Sequence, residues 1–211
     1  RLAPNLSVPF FVRHLRDDTK SLVLDSVNLQ NHSAKRKSQN ITLNINLIGE
    51  EVLGEGESAY RIKKYEDALK SEFVSYISIK ITTIFSQINI IDFEWSKNEV
   101  VKRLCHLYQI AESEQKKQGV EKFINLDMEE FRDLELTAMA FMESIAKFDL
   151  RAGIVLQAYI PDSFHYLQKL FEFSKNRVKN GKPPIKIRFV KGANMESEET
   201  IASQKGWALP T

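Results

Sequence analysis

The chain has 211 residues, of which 43% are hydrophobic and 27% are charged, a composition ordinary for a globular protein with one sizeable core. Its 30 basic and 28 acidic residues leave a net charge of +2, which gives no support for a nucleic-acid-binding protein. No apolar run approaches the ~20 residues that cross a bilayer, so the sequence predicts no membrane-spanning helix.

The first forty residues differ from the rest and are predicted to form a helical arm, with the main domain at 41–211. After Pro9, residues 11–16 have a helical pattern and lead into the polar segment 31–40. Nothing at the start resembles a secretion signal.

Five short runs with alternating apolar residues follow the arm. Side chains on a strand alternate between its two faces, so each run is predicted to be a strand. The runs are Leu43–Leu47, Ile77–Ile81, Phe123–Asp127, Ile154–Gln157 and Ile185–Phe189. Each is followed by a helical pattern, and this alternation predicts βα units with a parallel sheet.

The helices are predicted from their boundary signals. Ser96 to Glu99 has the form of a capping box, and Gly119 is a stop signal for the helix between them. Asp162 and Ser163 are predicted to cap a later helix. The predicted helices are 60–70, 96–118, 134–148 and 162–180, the last with Phe164, Leu167, Leu170 and Phe171 at helical spacing.

A polar side chain lies near the end of each run. If the apolar residues pack outward on the helices, the polar ones converge on a centre. They are Asn46, Lys80, Asp127, Gln157 and Arg188. An ordinary barrel interior is filled with Val, Ile and Leu, so inward charge predicts a ligand site.

The two candidate architectures are an open doubly wound sheet and a barrel. The glycines of the first βα turn, Gly49, Gly54 and Gly56, lack the Lys-Ser/Thr of a phosphate loop and are accompanied by three glutamates. A barrel places polar groups at the carboxyl ends of its strands. We therefore predict an α/β fold, an incomplete (βα)8 barrel of about five βα units.

Lys80 and Asp127 are candidate site residues. Lys80, placed inward between Ser78 and Thr82, could pair with an anionic substrate, form a Schiff base or belong to a structural ion pair. Asp127 is predicted to be its electrostatic partner and could orient a substrate amine. Glu129 and Glu130 are expected to open the next helix.

Gln157 and Arg188 complete the candidate site. Gln157 could read an imide or carbonyl edge, or tie strand ends together. The guanidinium group of Arg188 is permanently charged, and such a group rarely lies in an apolar core. Arg188 is therefore predicted to be a functional residue. Lys191 is three residues after Arg188, so on a continuous strand its side chain would point to the opposite face. The small residues of the turn at 192–193 could redirect it, and they let the backbone approach a ligand closely.

Other reactive side chains are given no role. The basic cluster 35–37 is predicted to be a solvated loop or helix end. Cys105, the only cysteine, excludes an intrachain disulfide and is predicted to be a buried inert thiol, which fits a reducing cytosol. The histidines show no ligand spacing, so no metal is predicted; they are His14, His32, His106 and His165.

Five segments together carry a resemblance to a known family. They are 43–50, 78–80, 125–130, 156–159 and 188–193. In this order they resemble the proline dehydrogenase domain of the bifunctional proline-utilisation flavoenzymes, which are proline dehydrogenase and pyrroline-5-carboxylate dehydrogenase in one chain. The resemblance runs from about Pro9 to the end.

The resemblance implies a distorted (βα)8 barrel that holds FAD and oxidises L-proline to 1-pyrroline-5-carboxylate, in the breakdown of proline to glutamate. It also implies electron transfer to membrane quinone, by a cytoplasmic protein that is peripheral on the inner face of the membrane. The implied catalytic residues are Lys80, Asp127 and Arg188, the first two binding substrate. The implied cofactor contacts are Asp127, Met128, Val155, Gln157, Arg188, Val190, Gly192 and Ala193.

The chain also departs from the family. Asn194 and Met195 stand where some members have aromatic residues. The chain opens with Arg1 rather than Met and stops at Thr211, so we expect it to be a piece of a longer protein. The late strands, a pair of substrate-binding arginines and the aldehyde dehydrogenase domain are expected outside it. We expect this piece to bind FAD weakly or not at all, to turn over no proline, and to self-associate through open strand edges.

Two other functions are kept as alternatives. One is a barrel lyase that uses Lys80 or Lys191 as a Schiff-base nucleophile. The other is a non-catalytic half-barrel that serves as an interaction module.

Overall fold

A computed structural model describes residues 27–47, 51–191 and 195–209. Its elements, in chain order, are α1 (Val27–Ser38), β1 (Ile45–Asn46), α2 (Glu55–Lys70), β2 (Tyr76–Lys80), α3 (Ile81–Ile84), α4 (Phe93–Gln118), β3 (Phe123–Asp127), a 3-10 turn (Phe131–Asp133), α5 (Leu134–Ile145), β4 (Ala152–Gln157), α6 (Asp162–Lys179), β5 (Lys186–Val190) and α7 (Met195–Lys205). The predicted helix at 11–16 lies outside the described residues. The basic cluster 35–37 forms the last turn of α1.

The five strands form one parallel sheet in the order β1-β2-β3-β4-β5. Each βα unit adds its strand beside the previous one, without the reversal of strand order that marks a doubly wound sheet. The predicted α/β fold and partial barrel are therefore confirmed. The strand ends differ in detail: β1 has only two residues, and Ile81 and Thr82 belong to α3 rather than to β2.

The core lies between the sheet and its helices. The residues of β2, β3 and β4 that face the helices are at most 1% exposed; they are Ile77, Ile79, Ile124, Leu126, Ile154 and Leu156. Burying one such side chain stabilises the fold by about 1.5–3 kcal/mol. On α6 the buried face carries Tyr166 and Leu170, while Phe164 and Phe171 are 64% and 56% exposed.

The start of α4 corrects the predicted capping box. The helix begins at Phe93, and the Asp92 carboxylate accepts a hydrogen bond from Trp95 N at 3.3 Å. Ser96 lies one turn inside, where its hydroxyl exchanges hydrogen bonds with the backbone of Asn89. Gly119 ends the helix as predicted, with a φ of 67° that favours glycine.

None of the helices within the described ranges is long and apolar enough to span a membrane.

Candidate active site

The polar residues of neighbouring strands lie side by side on the face of the sheet opposite to the core. Lys80 stands in register with Asp127, and Val155 with Arg188. Gln157 stands in register with Val190 at the same strand ends. Register partners in a parallel sheet share a face, so these side chains all point to one side, at the carboxyl ends of the strands.

Two ion pairs organise this site. Arg188 donates from one terminal nitrogen to Asp127 Oδ1 at 2.8 Å, and Lys80 Nζ lies 2.6 Å from Glu129 Oε1. Lys80 and Asp127 act on each other through their charges, as expected, but the direct ion pair of Lys80 is made with Glu129. Asp127 Oδ1 is already occupied by Arg188 and by Asn125, whose Nδ2 donates at 2.6 Å.

The Asp127 carboxyl is largely withdrawn from water, with 13% of its side chain exposed. Burial raises its pKa above the ordinary value, and the charge of Glu129 acts in the same direction. The guanidinium of Arg188, a hydrogen bond from Ser78 and the charge of Lys80 oppose that rise without cancelling it. Asp127 is thus a carboxyl that takes up a proton more readily than a surface aspartate.

Gln157 is fully buried, and one end of its amide is engaged while the other is not. Its Nε2 donates to the backbone carbonyl of Glu129 at 2.6 Å, which ties the end of β4 to the loop after β3. Its Oε1 is buried without a hydrogen-bond partner among the residues that the structure describes. An unsatisfied buried acceptor is costly, so this atom is suited to accept a hydrogen bond from a ligand.

A cavity of about 560 Å³ opens beside Lys80 and Asp127. This volume falls in the range that holds small-molecule ligands. Met128 lines it and is 4% exposed, and Asp133 lies in its wall.

The other predicted site residues are placed less centrally. Val155 is buried and Val190 is half-buried, whereas Asn46 and Lys191 are exposed. Residues 192–194, which include Gly192 and Ala193, lie outside the described residues. Cys105 is half-buried rather than buried, and burial raises the pKa of its thiol, as expected for an inert group.

Sequence reasoning missed three residues of this site. Ser78 and Asn125 support Asp127, and both have the inward parity, which was a usable signal. Glu129 was expected to open the next helix, but Glu130 precedes the 3-10 turn and Glu129 reaches back to Lys80.

The chain resembles known proteins in sequence and in structure. The sequence profile of the family described as "Proline dehydrogenase" matches residues 29–211. Proline Utilization A (PutA) from Corynebacterium freiburgense is 39% identical over 96% of this chain, with a TM-score of 0.83. PutA from Bdellovibrio bacteriovorus, in a form inactivated by N-propargylglycine, is 28% identical over 87% of the chain, with a TM-score of 0.72.

PutA from Bradyrhizobium japonicum matches at 20% identity over 78% of this chain, with a TM-score of 0.63, and at that identity supports the fold alone. The chain spans 21% of the length of the first two structures and 17% of the third. No curated protein matches the chain.

Proposed function

The chain belongs to the proline dehydrogenase family, and from this premise we propose that the protein containing it oxidises L-proline to 1-pyrroline-5-carboxylate with FAD. One observation carries the proposal. A lysine, an aspartate, a glutamine and an arginine meet at the carboxyl ends of β2 to β5, where barrel enzymes hold their substrates. They are Lys80, Asp127, Gln157 and Arg188.

Proline at neutral pH carries a carboxylate and a ring ammonium, and the site offers a partner for each. Lys80 supplies a cation for the carboxylate. Asp127, in register beside it, supplies an anion that orients the ring nitrogen. Because burial raises the pKa of Asp127, this carboxyl is suited to hold a proton released from that nitrogen.

The residues present also suit FAD. The unpartnered Oε1 of Gln157 can accept a hydrogen bond from an imide N–H, and Arg188 has further donors beyond its bond to Asp127. Met128, Val155 and Val190 offer apolar surface nearby. FAD, when bound, supplies the oxidant for the two electrons that proline loses.

The wider role follows from the family resemblance. We propose that the electrons pass to membrane quinone, and that the longer protein is a bifunctional proline-utilisation enzyme, cytoplasmic and peripheral at the inner face of the membrane. It is expected to form a homo-oligomer, and residues 1–40 are expected to form its helical arm. Residues 192–193 are assigned to the cofactor site on the same basis.

The 211-residue chain by itself is proposed to hold FAD weakly and to be inactive. Five strands leave the inner face of β5 open to water, and the Arg188 side chain is 43% exposed. Ion pairs and hydrogen bonds that face water contribute little to binding. A chain that stays yellow after desalting, and that proline bleaches, would contradict this proposal.

The experiment for the proposed function uses the intact protein that contains this chain. Its flavin absorbance is recorded anaerobically before and after addition of L-proline, in wild type, Arg188→Gln and Lys186→Gln. Lys186 lies on the same face of β5, two residues from Arg188, and its Nζ stacks over the rings of Tyr76 and Phe123. We expect bleaching in wild type, a rate loss of about a hundredfold in Arg188→Gln, and little change in Lys186→Gln. A colourless wild type, or one that proline does not bleach, would refute the proposal.

The lyase alternative needs Lys80 or Lys191 as a neutral amine that forms a Schiff base. In this structure Lys80 Nζ lies 2.6 Å from the Glu129 carboxylate, whereas Lys191 is exposed. Borohydride trapping with a carbonyl substrate distinguishes the two reactions. The non-catalytic alternative predicts a colourless intact protein whose function survives Arg188→Gln.

A further inference from the structure

Glu129 is the residue that engages the Lys80 ammonium in this structure. The two side chains meet at 2.6 Å, with Lys80 21% exposed and Glu129 45% exposed. A carboxylate that bound Lys80 from the cavity would approach the same ammonium.

The backbone of Glu129 is held while its side chain lies near water. Gln157 Nε2 donates to the Glu129 carbonyl, so the loop after β3 is fixed to the end of β4. A half-exposed glutamate can turn away from its partner at little cost, because water solvates the released charge. The backbone at Glu129 is thus fixed, while its carboxylate lies where water reaches it.

The two cations at the strand ends are both paired in this state. Lys80 and Arg188 are each paired, with Glu129 and Asp127 respectively. An incoming carboxylate therefore meets a Lys80 ammonium that is already paired, and it is repelled by the Glu129 charge while that residue stays. The other acidic residues of the lining are paired with Arg132; they are Glu51, Glu130 and Asp133.

We propose that Glu129 is the resting counter-ion of Lys80, and that a substrate carboxylate binds Lys80 by displacing it. Glu129 then sets the affinity of the site for carboxylate-bearing ligands without entering the reaction. This inference rests on the proposed function, because it takes Lys80 as the carboxylate-binding residue.

The test compares Glu129→Gln with Glu130→Gln in the intact protein. Glu130 is the adjacent carboxylate, but it pairs with Arg132 Nε at 2.7 Å instead of Lys80. In Glu129→Gln we expect the KM for L-proline to fall about threefold to fivefold, as for the loss of one partly exposed competing ion pair. The test is read from KM and not from kcat, because loss of the Glu129 charge also lowers the pKa of Asp127, the group proposed to take the proton from the ring nitrogen. Glu130→Gln should match wild type, and Glu129→Asp should stay closer to wild type than Glu129→Gln.

Two ligands that each carry one half of the proline structure separate displacement from a general loosening of the site. Cyclopentanecarboxylate carries only the carboxylate of proline, and pyrrolidine carries only the ring nitrogen. Glu129→Gln is expected to strengthen inhibition by cyclopentanecarboxylate and not by pyrrolidine. A KM that rises or stays constant, equal changes for both ligands, or the same fall in Glu130→Gln would overturn the inference.

Failure of the proposed function gives a different result. A wild-type protein that oxidises no proline contradicts that function, whereas calorimetric binding of cyclopentanecarboxylate still tests displacement without turnover. Tighter binding to Glu129→Gln supports displacement, and equal or weaker binding overturns it.

Discussion

Gly153 and Asn125 face each other on the inner side of the sheet so closely that a Cβ on Gly153 would stand 2.7 Å from Asn125 Oδ1. Asn125 in turn donates from Nδ2 to Asp127 at 2.6 Å. Because glycine has no side chain, position 153 leaves space for the Asn125 amide, which donates its hydrogen bond to the Asp127 carboxylate.

Gly153→Ala is predicted to destabilise the fold and to disturb Asp127. The new methyl group would also lie 3.0 Å from the Phe123 ring, so neither neighbour could move without displacing another buried group. Overpacking of this kind costs about 1–3 kcal/mol. Urea unfolding of the chain measures the change in the free energy of unfolding.

Gly56→Ala is the matched control for this substitution. Gly56 lies in the first turn of α2, and a Cβ there would meet nothing within 4 Å. Alanine in a helix is expected to be neutral or stabilising by up to ~1 kcal/mol. Equal destabilisation by both substitutions would show that steric contact at Gly153 is not the cause.

Two substitutions are predicted to shift the pKa of Asp127 in opposite directions. Arg188 lowers that pKa, so Arg188→Gln should raise it further. Glu129 raises it, so Glu129→Gln should lower it. Titration of the Asp127 carboxyl carbon by NMR measures both shifts.

Arg132→Gln serves as the control in this titration. Arg132 pairs with Glu130 and Glu51 and is not among the groups that act on Asp127. It should leave the titration of Asp127 unchanged. Shifts of the same sign in Arg188→Gln and Glu129→Gln would contradict the charge arrangement described here.

The sheet was predictable from the sequence because the apolar residues of a half-buried strand recur at every second position. Residues of one parity are apolar in β2, β3 and β4, and this pattern placed Lys80 and Asp127 on a common face. Strand ends were less predictable: Ile81 continues the alternation of β2, but it begins α3. A short apolar run carries no signal that separates the last strand residue from the first helical one.

Contacts made by loops could not be read from periodicity. Glu129 follows β3 in a segment without a regular repeat. No pattern in the sequence therefore predicts that its side chain pairs with Lys80 and does not begin the next helix. At the start of α4, Asp92 and Ser96 are both good capping residues. The choice is made by a tertiary contact, since the Ser96 hydroxyl is engaged with Asn89.

Asp133 is predicted to make stability fall as pH rises through the range from about 4 to about 6. It is 4% exposed, and burial raises its pKa to about 6, against ~3.9 in an unfolded chain. In that window the folded chain binds the proton more tightly than the unfolded chain, so each step up in pH weakens the fold. Above about 6 the full loss, about 3 kcal/mol, is present.

Asp133→Asn should remove this pH dependence and stabilise the chain at pH 7, with the difference vanishing below about pH 4. Urea unfolding at several pH values measures it. Asp92→Asn is the control, because asparagine is also a good helix cap and Asp92 is exposed. If the free energy of unfolding of Asp133→Asn falls between pH 4 and pH 6 as much as that of wild type, other carboxyl groups cause the pH dependence.

Arg177 joins two connections of the fold from inside the protein. It is 4% exposed, and its guanidinium donates to four backbone carbonyls, those of Ile145 (2.5 Å), Phe148 (3.3 Å), Leu150 (3.1 Å) and Pro183 (3.1 Å). Ile145 is the last residue of α5, Phe148 and Leu150 lie between α5 and β4, and Pro183 lies between α6 and β5. One side chain thus fixes the approach to both strands that carry Gln157 and Arg188.

Arg177→Lys is predicted to lower the free energy of unfolding by about 2–4 kcal/mol although it keeps the charge. A single ammonium cannot reach all four carbonyls, and a buried carbonyl left without a donor costs about 1–3 kcal/mol. Arg151→Lys is the control: Arg151 is 55% exposed and pairs only with Glu121 among the contacts described, so the change should stay within ~0.5 kcal/mol. If the two lysine variants unfold at the same urea concentration, the guanidinium fork of Arg177 does not hold these loops together.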